Sequence, residues 1–254
     1  MSTHNETNRV ATRRRRIVFF TGAGMSRESG LPTFRGEGGL WDSLNVDEVA
    51  SRRAWYCGRR SDCDTRRAKV LDFVNNIRRQ ILEHEPNEGH RIIAEMERSN
   101  DIVVITQNGD DYHERAGTSR VIHLHGEALK NASTLHPHET YDIDRHNPDI
   151  HIGDKAADGS QLRPYVVLFG EDIESHLWSR AIEATKNAEV FVVVGSTMLV
   201  HPAADIIRHT PQGCDIYIID PEEVRLPKGC HRKFTHIALS ASKGLEELIT
   251  ILKH

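Results

Sequence analysis

The feature that most constrains this chain is a rhythm of short, unbroken apolar runs, each stopped by glycine or polar residues and separated by stretches of helical period. Ile17–Thr21 is followed at once by Gly22-Ala23-Gly24. Ile102–Ile105 ends in Thr106-Gln107-Asn108-Gly109-Asp110, and Val121–Leu124 stops at His125-Gly126. Glu189–Val194 runs into Gly195-Ser196-Thr197; Ile216–Ile219 and Val166–Phe169 read as further strands. Between them, Val70, Leu71, Val74, Ile77, Ile81 and Leu82 fall at helical spacing within 66–83. Helices are also expected at 88–98, 174–187, 203–208 and 242–252, the last with Ser242 as N-cap. Continuous β-branched runs alternating with helices imply a mostly parallel sheet covered on both faces, an α/β, Rossmann-like fold.

Residues 127–162 break this rhythm. They are polar, rich in His and Asp, and contain Pro137, Pro148, Gly153 and Gly159. They read as part of a small inserted module, spanning about 36–90 and 127–162, within a single domain over 17–254. Residues 1–16 end in Arg13-Arg14-Arg15-Arg16 and read as a flexible, solvated basic flank. A formal charge of −4 argues against a nucleic-acid surface. With no apolar run of spanning length, no membrane partner is expected. No apolar leader precedes the first strand, and no C-x-x-C pair occurs among Cys57, Cys63, Cys214 and Cys230. A cytoplasmic protein with reduced thiols is the expectation.

Polar residues and glycines gather after the strands, where a parallel sheet binds its ligands. Gly22-Ala23-Gly24-Met25-Ser26 would let a pyrophosphate approach the backbone, with the next helix directing its free N–H groups at it. The full G-x-G-x-x-G is missing, because residue 27 is Arg. Alone, the segment fits a nucleotide site or an ordinary strand-to-helix turn. Ser29-Gly30-Leu31-Pro32-Thr33-Phe34-Arg35-Gly36 has too many special-backbone residues for a helix and reads as a closing loop. In it, Phe34 can cover a sugar or ring and Arg35 can pair with phosphate.

Six ordered blocks carry a resemblance to a known family. GAGMSRESGLPTFRGEGGLW resembles the cofactor-binding loop of the sirtuins, and TQNGDDYHERAG resembles their T-Q-N-x-D-x-L-H-x-x-A-G segment. HLHG, VVLFGE, GSTMLVHPA and IIDPEEV follow in the family's order, and PNEGH at 86–90 is a further family-like segment. The resemblance implies an NAD-dependent protein-lysine deacylase acting on acyl-lysine proteins or peptides and yielding nicotinamide, O-acyl-ADP-ribose and free lysine. It implies that Gly22, Ala23, Gly24, Ser26, Phe34 and Arg35 hold NAD. Gln107 and Asn108 would meet the nicotinamide ribose, with Asn108 also counted in the catalytic set, and Asp110 the carboxamide. Gly195, Ser196, Thr197 and Asp220 would serve the adenosine side. His125 would be the catalytic base. Phe169, Gly170 and Glu171 would flank the substrate peptide opposite Met198, Leu199 and Val200, the peptide adding as a strand between them.

The chain also departs from the family. Most sirtuins have four zinc-binding cysteines, whereas 126–170 contains none. No metal is expected, and the module should be held by its own packing. His136, His138, His146 and His151, with Asp142, Asp144 or Asp149, are the alternative ligand set. Gly109 stands where a β-branched residue is usual, and Tyr112 replaces a Leu. A succinyl-removing branch carries a Tyr and an Arg where Val74 and Ile77 stand here, so the acyl pocket should take an uncharged chain; a one-residue slip would instead bring in Arg78. Two other readings stay open: a sirtuin-like NAD hydrolase or ADP-ribosyltransferase, and a non-catalytic NAD-sensing protein.

Overall fold

Residues 13–35, 38–58 and 60–253 are described, in a computed structural model. The strands are β1 (Arg16–Thr21), β2 (Asp101–Thr106), β3 (Val121–His123), β4 (Gly126–Ser133), β5 (Thr140–Asp142), β6 (Leu162–Val166), β7 (Val190–Val194), β8 (Asp215–Ile219) and β9 (Thr235–Ile237). The helices are α1 (Gly24–Arg27), α2 (Leu40–Ser43), α3 (Val46–Val49), α4 (Arg52–Trp55), α5 (Cys63–Glu83), α6 (Glu88–Met96), α7 (Tyr112–Ala116), α8 (Ser175–Lys186) and α9 (Ala241–Leu252). A 3₁₀ helix covers Ala203–His209, at the short helix expected over 203–208. None of these helices is long and apolar enough to cross a membrane.

The main sheet is parallel throughout, in the order β3-β2-β1-β7-β8-β9. Neighbouring side chains on a strand point to opposite faces. Phe20, Phe191 and Val193 therefore join one core layer, with Ala181 of α8 and Ile206. Phe19, Val104 and Val192 join the other, with Ile93 of α6 and Leu245 and Leu248 of α9. Chain order reverses between β1 and β7, and the crevice at such a reversal is where ligands bind. This is the expected α/β architecture.

The second sheet, β5-β4-β6, is antiparallel and short. Of the run expected to form a strand at Val166–Phe169, only Val166 lies in this sheet. β6 stops at Val166, and the chain then bridges elsewhere: Phe169 N–H donates to the Ala50 carbonyl at 2.8 Å, and Arg52 N–H to the Phe169 carbonyl at 2.9 Å. Four apolar residues in a row do not say which sheet will bury them. β9 was not foreseen, because Thr235–Ile237 is a short edge strand with two exposed positions.

Local chemistry sets several element ends. Asn87 caps α6 by accepting from His90 N–H at 3.3 Å, while His90 Nδ1 accepts from Asn87 N–H at 3.3 Å. Burial drives the His90 pKa down to about 3, which keeps that ring neutral and able to accept. Ser240, not Ser242, sits at the start of α9, and Ser242 Oγ instead accepts from Gly89 N–H at 3.0 Å. Cys57 and Cys63 form a disulfide, correcting the expectation of four thiols; Cys214 and Cys230 are free. The Cα atoms of Cys57 and Cys63 lie 5.5 Å apart across the turn into α5, within normal bridging range. At the basic flank, Arg13 pairs with Glu189 at 2.9 Å, Arg14 reaches the Glu97 and Asn100 carbonyls, and Arg16 already belongs to β1. Residues 1–12 of the flank lie outside the described residues.

Arg78 ties α5 to the small sheet. It is fully buried, and its guanidinium donates to the carbonyls of Ala128 (2.6 Å), Pro148 (2.8 Å) and Lys130 (2.8 Å) and to Asn131 Oδ1 (2.7 Å). Asn75, one turn earlier, exchanges two hydrogen bonds with the backbone of Ile150. Trp55, Val70, Leu71, Ile150 and Leu168 pack around them. Among the described residues no three His, Cys, Asp or Glu side chains are grouped to hold a metal, the loop histidines 136, 138, 146 and 151 included. Replacing Arg78 by Met would orphan four acceptors in a dry site. Arg78→Met is expected to cost about 3–5 kcal/mol, read as a lower midpoint in urea unfolding, with faster amide exchange over 126–150.

Candidate active site

The carboxyl ends of β1 and β7 meet in a backbone contact that admits no side chain. A Cβ on Gly22 would come within 2.6 Å of the Gly195 carbonyl oxygen, and one on Gly24 within 2.6 Å of Gly195 Cα. Gly24 N–H donates to that same carbonyl at 2.9 Å, and Gly195 itself holds φ +60. The contact forms the floor of a cleft of about 360 Å³, within the ~300–1,000 Å³ span of small-molecule sites.

Most of the residues singled out in the sequence line this one cleft. Gly22, Ala23, Gly24, Phe34, Arg35, Gln107, Asn108 and His125 do so, with Gly195, Ser196, Thr197 and Asp220. So do Val74, Ile77, Phe169, Gly170, Glu171 and Val200. Four do not. Ser26 and Asp110 are buried just behind the lining, Met198 is buried in the core, and Leu199 is 60 % exposed. Trp41 and Phe73 were missed. Trp41 stacks on Phe34 with ring centres 5.2 Å apart and lies 5.5 Å from the Phe73 ring, so the three cover one end of the cleft. The aromatic spacing around the closing loop was the available signal.

His125 lies just beyond β3. Gly126 follows in the left-handed region at φ +79, where a Cβ would strike the Tyr165 carbonyl oxygen at 2.4 Å. That glycine lets the chain turn from one sheet to the other directly after His125. The ring Nδ1 lies 3.2 Å from the Gln107 carbonyl. A carbonyl can only accept, so the proton sits on Nδ1 and the lone pair on Nε2. Nε2 has no hydrogen bond among the described residues. Burial lowers the His125 pKa, and the Gln107 carbonyl offsets part of that fall, so the ring is a neutral base near pH 7. Gln107 also accepts from Ser196 Oγ at 2.8 Å, tying this loop to the Gly195 turn.

Asn108 Nδ2 donates to the Gly22 carbonyl at 3.0 Å and to Ser26 Oγ at 3.1 Å. Ser26 Oγ in turn donates to Asp110 Oδ2 at 2.8 Å. Ser26 thus joins the loops after β1 and β2 from behind the cleft. Gly109 has a packing reason: its carbonyl accepts from Ala128 N–H at 2.8 Å, and a Cβ there would press on Ala128 at 3.2 Å. Glu171 makes a two-pronged ion pair with buried Arg163, at 2.7 and 2.9 Å, and accepts from Leu168 N–H. Its carboxylate shapes the Phe169–Gly170 turn. Val74 and Ile77 project into the cleft, while Arg78 is turned away and fully engaged, which excludes the one-residue slip.

Fold and cleft together define an α/β enzyme scaffold with a nucleotide-sized cleft at the sheet's reversal point and a neutral histidine on its wall. The chain belongs to the Sir2 family, whose model matches residues 22–202. It is 41% identical over 239 residues to an NAD-dependent protein deacylase of Bacteroides thetaiotaomicron, covering 93% of this chain and 97% of that one. It is 42% identical over 214 residues to an NAD-dependent protein deacylase of Helicobacter pylori, covering 84% and 86%. Among solved structures, a mutant Sir2 homologue in complex with ADP-ribose superposes with a TM-score of 0.80 at 32% identity, covering 93% of this chain and 91% of that one. A Sir2 homolog–NAD complex gives 0.76 at 32% identity, covering 93% and 89%.

Asp110 has a measurable consequence of its own. Burial raises its pKa to about 6, against the opposing pull of the Ser26 and Tyr112 hydrogen bonds. A carboxyl raised in the folded state favours folding fully below its unfolded pKa and loses that contribution as pH climbs through the folded value. Asp110→Asn is therefore expected to melt higher than the parent at pH about 8, by a margin that shrinks toward pH about 4, the unfolded carboxyl value. Thermal melts across that range check it.

Proposed function

We propose that the chain is an NAD-dependent protein-lysine deacylase in which His125 is the catalytic base and Asn108 orients the ribose. The observation that carries this reading is the free Nε2 of His125 in a cleft with two unlike ends. One end is the close-packed backbone at Gly22, Gly24 and Gly195, and the other is the apolar wall of Phe34, Trp41, Phe73, Val74 and Ile77.

The backbone of Gly22–Gly24 and Gly195–Thr197, with Arg35, would hold the diphosphate and adenosine side of NAD, and Asp220 a ribose hydroxyl. Cofactor glycines allow that approach because no side chain stands in the way. Asp110 would reach the nicotinamide amide from behind Ser26. NAD supplies a ribosyl carbon that becomes electrophilic as nicotinamide departs. His125 Nε2 would accept a proton from a ribose hydroxyl of the bound cofactor. The apolar wall excludes water and holds the acyl chain. In this reading the module over about 36–90 and 127–162 carries that wall. The backbones of Phe169–Glu171 and Met198–Val200 would flank the peptide, which would bind as an added strand, with the Met198 side chain itself packed in the core. The proposal includes a cytoplasmic location.

His125→Ala is expected to lower acyl-lysine turnover by about 10²–10⁴-fold while leaving NAD affinity near that of the parent. Parent-like turnover in that variant would reassign the base. With Val74 and Ile77 in the acyl wall and Arg78 engaged elsewhere, a succinyl carboxylate would be buried without a partner. Acetyl- or butyryl-lysine should exceed succinyl-lysine in kcat/KM by more than about tenfold, since such burial costs upward of ~1–3 kcal/mol. Parallel assays on peptides differing in that acyl group alone measure the ratio.

A further inference from the structure

The backbone of Asn108 is held on both sides of its Cα. Its N–H donates to Thr106 Oγ1 at 3.0 Å, and that oxygen also accepts from Thr21 Oγ1 at 2.9 Å. Its carbonyl lies 2.9 Å from His123 Nδ1. The other ring nitrogen, His123 Nε2, lies 2.8 Å from Glu114 Oε1. A carbonyl only accepts, and so does a carboxylate. A ring that satisfies both carries two protons and a positive charge. The ring is 8 % exposed, so its charge depends on these neighbours.

We propose that His123 and Glu114 are positioning residues for Asn108: a charged link, running from α7 through the end of β3, that fixes the Asn108 backbone and so aims its side chain at the ribose end of the cleft. The proposal rests on the deacylase reading above. Neither residue lines the cleft, and neither belongs to the site residues drawn from the sequence.

The charged groups around the ring come from three elements. Glu114 and His113 face it from α7, Asp110 from the loop after β2, and Glu127 from β4. Burial opposes the charged ring, but the Glu114 hydrogen bond and the Glu114 and Glu127 charges outweigh it, and the pKa of His123 is raised. Burial holds His113 well below its ordinary value, so it stays neutral. The sign follows. A histidine raised in the folded protein keeps its link complete at low pH and loses it as pH rises through the raised value. The neutral ring has one N–H and cannot serve both acceptors. The alkaline limb of turnover should therefore belong to His123, and the acid limb to His125.

The test is the pH dependence of kcat, with KM for NAD, in the parent and three variants. Glu114→Gln removes the stabilising charge, and the alkaline limb is expected to move down by about one to three pH units with the acid limb in place. His123→Leu cuts the link, and kcat should fall on the order of 10²-fold with a smaller change in KM for NAD. His123→Asn, whose amide nitrogen stands in for Nδ1, should recover most of kcat and lack the His123 limb. An alkaline limb unmoved in Glu114→Gln, or equal impairment in the Asn and Leu variants, would overturn the proposal. Histidine NMR titration reads the link without turnover: a His123 ring titrating at or below the ordinary imidazole value in the parent also overturns it. A parent that frees no lysine would instead count against the deacylase reading, while the NMR titration still decides the link.

Discussion

The close approach of Gly22 and Gly24 to Gly195 is the constraint on which the rest of this structure depends. It joins the carboxyl ends of β1 and β7, the two strands between which the chain order reverses. Gly22 N–H donates to the Val194 carbonyl at 3.0 Å and Gly195 N–H to the Ile219 carbonyl at 3.0 Å, so three neighbouring strands end in one hydrogen-bonded rim. A side chain at Gly22, Gly24 or Gly195 would pry the rim apart, because each added Cβ would fall 2.3–2.6 Å from backbone. Gln107, reached from the next strand, ties to Ser196 on this rim and positions the His125 ring. The geometry at His125 is thus inherited from a contact between backbones.

The other half of the cleft is built on α5. Its 3.6-residue period divides the work: Val74 and Ile77 face the cleft, while Asn75 and Arg78 face the small sheet. Arg78 uses a planar fork of donors to collect four acceptors from β4 and the 148–150 segment. That is a directional cross-link among short irregular strands, in a module where the described residues offer no metal cluster. Burial weakens the guanidinium's hold on its proton, with a pKa lowered to about 10, so it stays charged at physiological pH. The same helix therefore ties the small sheet in place and supplies two apolar side chains to the cleft wall.

Much of this was legible in the sequence because the signals were local. Strand ends followed by glycine and polar residues mark where a parallel sheet binds, and Gly22, Asn108, His125, Gly195 and Asp220 all reach one cleft. What escaped was decided by distant partners. Val166–Phe169 is as apolar as a core strand, yet Phe169 pairs with the segment around Ser51. Cys57 and Cys63 are too far apart in sequence for the C-x-x-C pattern and meet across a turn. The hydrogen bond that joins Ser26 to Asp110 behind the wall links residues 84 positions apart, which no local pattern announces. Trp41 and Phe73 carry no motif and matter because they stack over the cleft. The His123–Glu114 pair could not be recognised from spacing, since its target is a backbone carbonyl.

The measurement that bears most directly on this account follows nicotinamide and free lysine together when the purified protein meets NAD and an acetyl-lysine peptide. The account predicts that the two appear in equal amounts and that neither forms without the peptide. Nicotinamide released without free lysine would contradict it and point to NAD hydrolysis or ADP-ribosyl transfer at the same cleft, and release of neither would leave a protein that binds NAD without consuming it.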